Sequence, residues 1–176
     1  MKFIAIVASL VALVSSSKNG SPLCYYDDQT MQQGMGSPSA LGYSIKVSKV
    51  GTSYNLQLVN TDQTAVYQGI LLFVTTPGGT DAHLGNFTNF DTKKFKSVDP
   101  SFCSNDGVSG LATATITHSN PSNYVVGSGT NFTWTPNAGD FANGNLSLTA
   151  VVAAFTNSVP SGIPTWQHLA DTVVPK

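Results

Sequence analysis

The chain has 176 residues, 10% of them charged and 41% hydrophobic, with a formal net charge of −1. Charged residues usually make up ~25% of a soluble domain, so no basic field exists here to attract nucleic acid or an anionic membrane surface. The hydrophobic share is too large for a disordered chain, and solubility falls to Ser, Thr, Asn, Gln and Gly.

Met1-Lys2, the apolar run Phe3 to Val14 and the serines Ser15 to Ser17 are the three parts of a secretory signal peptide over residues 1–17. Cleavage after Ser16 and after Ser17 both leave small residues before the cut. The run is shorter than the ~20 residues that cross a bilayer, and no second such run follows. The expectation is a secreted, extracellular protein without membrane insertion. The remainder suits one domain with its own core, placed at residues 22–166 and followed by a short C-terminal tail, 167–176. Cys24 and Cys103 are the cysteines. In an oxidising compartment such a pair forms one disulfide, and neither a CxxC nor a neighbouring His suggests metal or redox chemistry. The bond would close a loop of about 80 residues, contributing up to ~4–5 kcal/mol in the chain-entropy account.

Past Cys24 the periodicity is that of strands. Tyr43, Ile45 and Val47 alternate with Ser44, Lys46 and Ser48, and Tyr54, Leu56 and Leu58 alternate with Asn55, Gln57 and Val59. Val66 to Val74 is more continuously apolar, as a central strand would be. Ala112, Ala114 and Ile116, then Phe132 and Trp134, then Leu146, Leu148, Ala150 and Val152 repeat the two-residue pattern of a sheet with one buried face. Turn signals separate the runs, among them Val50-Gly51-Thr52, Pro77-Gly78-Gly79, Asn105-Asp106-Gly107 and Asn143-Gly144. No window predicts a helix. Short strands so punctuated predict an all-β fold, an antiparallel sandwich or barrel.

Three sequons fit a secreted glycoprotein: Asn86-Phe87-Thr88, Asn131-Phe132-Thr133 and Asn145-Leu146-Ser147. Each has a bulky apolar middle residue. In a strand that residue points inward, which turns the Asn and the hydroxyl toward solvent.

The order of landmarks resembles a known family. Ser37-Pro38-Ser39-Ala40-Leu41-Gly42-Tyr43 leads into a strand, and Tyr67-Gln68-Gly69 opens another. His83-Leu84-Gly85-Asn86-Phe87, the lone Cys103 and Ala114-Thr115-Ile116-Thr117-His118 follow, then Phe132-Thr133-Trp134-Thr135-Pro136 and Gly144 to Val152. This resembles the reeler domain of reelin and spondin-type matrix proteins, whose pattern has an aromatic-x-Gly strand, a G-x-F turn, and a Cys followed by Thr-His. Many reeler domains carry further cysteines that this chain lacks. The resemblance implies an immunoglobulin-like antiparallel β-sandwich, an extracellular setting and pairing of Cys24 with Cys103. It also implies extracellular glycans, including microbial or cell-wall polysaccharides, or matrix and cell-surface proteins as partners.

Chemistry is sparse. His83, His118 and His168 lie too far apart in sequence to share a strand face or helical turn, so they read as surface or strand-end residues rather than metal ligands. A copper oxygenase of the kind that uses an N-terminal His is excluded, since the mature chain would begin at Ser17 or Lys18. No Gly-x-Ser-x-Gly elbow is present. Asp27-Asp28, as neighbours in an extended segment, would point apart and be solvated. Trp134 reads as core. Trp166, after the rigid Pro160 to Pro164 segment, and Tyr124 are the candidate ligand-binding aromatics, with Tyr25 and Tyr26 able to extend the platform. The reading is a non-enzymatic, monomeric extracellular recognition or matrix module without a cofactor. Its alternatives are a metal-dependent secreted enzyme acting on extracellular polymers and a self-associating coat protein.

Overall fold

The computed structural model describes residues 20–120, 122–154 and 165–176; the expected signal peptide and its cleavage site lie outside them. In chain order the elements are α1 (Asp28–Met35), β1 (Tyr43–Val50), β2 (Ser53–Asn60), β3 (Val66–Tyr67), β4 (Gly69–Thr75), β5 (Asn86–Asn89) and β6 (Phe95–Ser97). Then come α2 (Pro100–Asn105), β7 (Thr115–His118), β8 (Tyr124–Val125), β9 (Thr130–Thr135), β10 (Leu146–Ala154) and β11 (Thr165–Val174).

The alternating segments build one sheet, ordered β1-β2-β9-β5 and antiparallel throughout. Its inward residues are the apolar set of each run: Tyr43 and Ile45, Tyr54, Leu56 and Leu58, Phe87, Phe132 and Trp134, all at most 8% exposed. The second sheet is ordered β11-β10-β4-β7-β6, with β4 central as the apolar run predicts. Side chains from both sheets meet in one core, Ile70, Leu72, Val74, Ile116, Leu148 and Val152 facing the residues just named. This is the expected antiparallel β-sandwich.

Several expectations are corrected. β10 does not have one buried face: all nine of its residues are buried, as are all seven of β4. The reason is a third layer. Residues 23–35, α2 and the loop after it cover the outer face of the five-stranded sheet, where Cys24, Leu71, Phe73, Val98, Val108, Val151, Ala153 and Trp166 form a second apolar cluster. The disulfide Cys24–Cys103 joins the N-terminal segment to α2 inside this layer.

Residues 167–176 are not a tail. Thr165–Val174 is an edge strand paired with β10 from Leu146↔Val174 to Ala154↔Thr165, with a bulge opposite Thr149. Its Leu169 and Val174 are core residues, which a dangling segment would leave in water.

Asp27-Asp28 is not an extended pair either. Asp27 caps α1, its carboxylate accepting from the Thr30 N–H at 2.8 Å, and Asp28 is the first helical residue. Asp99 caps α2 in the same way, with Pro100 in the first turn. Both helices are too short to show a 3.6-residue period, so only the caps could have announced them. Ala112 to Ala114 likewise forms a 3₁₀ turn before β7 rather than part of the strand.

Two landmark pairs prove to be packing pairs. Gly69 lies under the His118 ring, where a Cβ would stand 3.3 Å from Cε1. Gly85, at φ +62°, brings its backbone against Trp134, whose Nε1 donates to the Leu84 carbonyl at 2.9 Å.

Candidate functional site

Neither aromatic expected to bind ligand is a free platform. Trp166 is fully buried, packed between the outer layer and β10, and its Nε1 donates to the Gly36 carbonyl at 2.8 Å. Tyr124 is 6% exposed and lies among Tyr67 and Phe95. Its hydroxyl donates to the Asn120 carbonyl at 2.9 Å and lies 2.8 Å from Asn120 Oδ1. Both are large apolar rings with one polar atom, and burial with that atom satisfied is their lowest-energy use.

Trp166 instead holds a groove together. Its carbonyl accepts from the Ser39 N–H at 2.8 Å, so residues 36–39 run beside the edge of β11 and bridge Pro38 to Trp166. Next along, the Gln167 side chain replaces a strand ladder. Its Oε1 accepts from the Leu41 and Tyr43 N–H groups at 3.0 and 3.1 Å, and its Nε2 donates to the Tyr43 carbonyl at 3.1 Å. One amide thus ties β1 of one sheet to β11 of the other and covers a sheet edge that would otherwise be open to pairing.

Against this edge the N-terminal segment lays Tyr26. Its ring stacks on His168, with centroids 3.9 Å apart and planes at 23°, and meets Trp166 edge-on at 5.8 Å. The Tyr26–His168 plate divides two cavities. One, about 390 Å3, is an open groove walled by Tyr26, Asp28, Pro38 to Ala40 and Trp166 to His168. The other, about 160 Å3, lies toward Phe73, Gly78, Gly79, Thr149 and Asp171. Thr149 donates to Asp171 across the β11 bulge at 3.3 Å.

The electrostatics are those of a neutral aromatic site rimmed by two carboxylates. Burial, reinforced by the hydrogen bond from its hydroxyl to Asp28, pushes the Tyr26 phenol well above its ordinary value, so it stays protonated. Burial lowers the His168 imidazole, opposed by the Asp171 and Asp28 carboxylates, and its buried Nε2 has no hydrogen-bond partner among the described residues. An apolar ring face beside fixed acceptors can hold the C–H face of a sugar while the carboxylates take its hydroxyls.

The other histidines are buried: His118 ends β7, as the strand-end reading expects, but neither it nor His83 lies at the surface. His83 is 4% exposed, stacked on Phe73 at 4.0 Å, with Nδ1 2.6 Å from Thr115 Oγ1, and burial pushes it down to about 4. His118 is 6% exposed. Among the described residues no three His, Cys, Asp or Glu side chains gather into a metal-ligating group. Of the sequon asparagines, Asn131 and Asn145 are exposed and Asn86 is half-buried. Ser147 departs from the expected outward geometry, being 5% exposed, because β10 is buried on both faces.

Of the aromatic set, the half-buried Tyr26 and the fully buried Trp166 line the groove. His168 was hidden from sequence reasoning because its strand read as a tail; the signal was the alternation of Trp166 and His168 before the β-branched Thr172 to Val174.

No protein-family profile and no curated protein matches the chain. Among solved structures it is similar to the reeler domain of human F-spondin, at 18% identity and a TM-score of 0.50, over 77% of this chain and 88% of that domain. It also aligns with a collagen-binding domain from a Staphylococcus aureus adhesin at 10% identity and a TM-score of 0.33, over 74% of this chain and 98% of that domain. The first likeness shows the fold: this chain is a reeler-like β-sandwich. The second is too remote to add to that.

Proposed function

We propose that the chain is a small secreted member of the reeler family that acts outside the cell as a non-enzymatic recognition module for neutral polysaccharide. The observation that carries the reading is the open groove beside the Tyr26–His168 plate, held at the rigid β11 edge of a reeler-like sandwich. The disulfide and the landmark order support the extracellular setting. A net charge of −1 provides little attraction for an anionic polymer, so affinity rests on ring stacking and hydroxyl-to-carboxylate hydrogen bonds, and binding should change little with salt.

The test is retention of the purified protein on insoluble chitin, β-glucan, cellulose and bacterial wall. Ala40 is exposed on the groove wall and outside the core, so Ala40→Trp fills the groove without touching the fold. Selective retention on one polymer, lost in Ala40→Trp, is the expected result. Failure to bind any of them, or retention unchanged in Ala40→Trp, would overturn it.

A further inference from the structure

We infer that Asn131 carries an N-linked glycan that roofs the outer face of the four-stranded sheet, on the side of the molecule opposite the groove. The inference rests on the secreted reading for access to the glycosylating compartment, and on the structure for the choice of site.

Among the described residues no third layer covers the four-stranded sheet. Its outward residues are mostly hydroxyls and amides, Ser44 and Ser48 on β1, Asn55 and Gln57 on β2, Asn131 and Thr133 on β9, with Lys46 on β1 as the charge among them. In a chain only 10% charged, this broad face has little but hydroxyls and amides to hold its water, and a glycan would add hydration where charge is missing. Asn131 sits on this face, paired across the ladder with Gln57, and Phe132 behind it is fully buried, so Asn131 and Thr133 are fixed outward.

The amide of Asn131 is also free in the right atom. Its Oδ1 accepts from Asn55 Nδ2 at 3.4 Å, and its Nδ2, the atom a sugar is joined to, donates to no described residue. With a lipid-linked oligosaccharyl diphosphate of the secretory compartment as donor, Nδ2 forms a bond to the anomeric carbon as that carbon's bond to the diphosphate breaks. The lipid diphosphate leaves, the displaced amide proton passes to it or to solvent, and the carbonyl contact stays intact. Asn86, on the same sheet, is engaged on both atoms: Nδ2 donates to Asn137 at 2.8 Å and Oδ1 accepts from Thr113 at 2.5 Å. Asn145 stands away from this face, just before β10, and holds the Lys176 N–H. The groove lies on the outer side of the other sheet, at β11, so a chain rooted at Asn131 grows away from it.

The full chain, made in a glycosylating secretory host, is collected from the medium and its intact mass and glycopeptides are measured with and without endoglycosidase. The expected result is a glycan mass at Asn131 that disappears in Asn131→Gln and in Thr133→Ala, with retention on polysaccharide unchanged by either variant. Secreted protein with Asn131 unmodified, or modified only at Asn86 or Asn145, would overturn the inference while leaving the secreted reading in place. Protein that never reaches the medium would overturn both. Loss of polysaccharide retention in Asn131→Gln with the melting temperature unchanged would overturn the separation of the two faces.

Discussion

Gly85 and Gly51 share a backbone conformation, φ +62° at each, and differ in what surrounds them. A Cβ built on Gly51 meets nothing within 4 Å, whereas one on Gly85 would stand 2.5 Å from the Trp134 ring and 2.6 Å from the Thr135 carbonyl oxygen. The ring cannot retreat, being fully buried and anchored by its hydrogen bond to Leu84. An L side chain in the left-handed region costs about 1–2 kcal/mol, and this applies to both sites. Forcing an extra methyl into a packed core adds about 1–3 kcal/mol, and this applies to Gly85 alone. Gly51→Ala should therefore destabilise by about 1–2 kcal/mol and Gly85→Ala by about 2–5 kcal/mol. Urea denaturation of parent and both variants reads the difference directly, provided the slopes agree; by melting, each kcal/mol corresponds to roughly 2–4 °C for a domain of this size. Equal midpoints for the two variants would refute the claim that Trp134 dictates the residue at 85, and would leave backbone strain as the whole effect.

Two further outcomes follow from the outer layer and the buried imidazole. Cys24 and Cys103 are 79 residues apart, so removing the cross-link, by reductant or by the double change to Ala, should lower stability by about 4.5 kcal/mol in the chain-entropy account; an unmoved denaturation midpoint would exclude any such constraint. His83, at about 4 in the folded protein instead of 6.5, stays neutral where the unfolded chain takes up a proton. The unfolded state then binds more protons between about pH 6.5 and 4, and stability should fall across that window by on the order of 3 kcal/mol as the pH is lowered. Asp27, Asp62 and Asp99 are held below the usual carboxylate range by hydrogen bonds from Thr30, Thr64 and Ser101 and act at more acid pH. His168 contributes in the same direction as His83, so the comparison is between parent and His83→Asn: identical pH dependence of their midpoints would reject the role given to His83.

The strands were legible wherever one face of a sheet meets water, because burial of alternate residues imprints a two-residue period on β1, β2 and β9. The same rule fails for β10, whose outer face lies under the N-terminal segment and so has no polar side to display. It also missed β11, where a bulge breaks the alternation between Leu169 and Thr172. The cysteine pair and the core position of Trp134 were legible because compartment and alternation each decide one question. The ligand-facing role given to Trp166 and Tyr124 was not sound, because composition and context say that a ring is present and not what covers it: the outer layer for Trp166, the sandwich core for Tyr124.

The groove shows why the remainder was out of reach. One of its walls, Pro38 to Ala40, belongs to a landmark of the reeler resemblance, and the Ser39 N–H and the Gln167 amide fix that wall to β11. The facing wall, Tyr26 and His168, belongs to none of the landmarks, and its two residues are brought together from opposite ends of the chain. The landmarks that can be recognised at low identity are the contacts a fold cannot do without: Gly69 under His118, Gly85 against Trp134, Cys24 joined to Cys103. Such pairs are constrained by packing, and a packing constraint carries no information about a ligand. A side chain that faces a groove is constrained only by what enters it. The shared part of this molecule therefore identifies the frame, and the ligand has to be sought at the wall that is this chain's own.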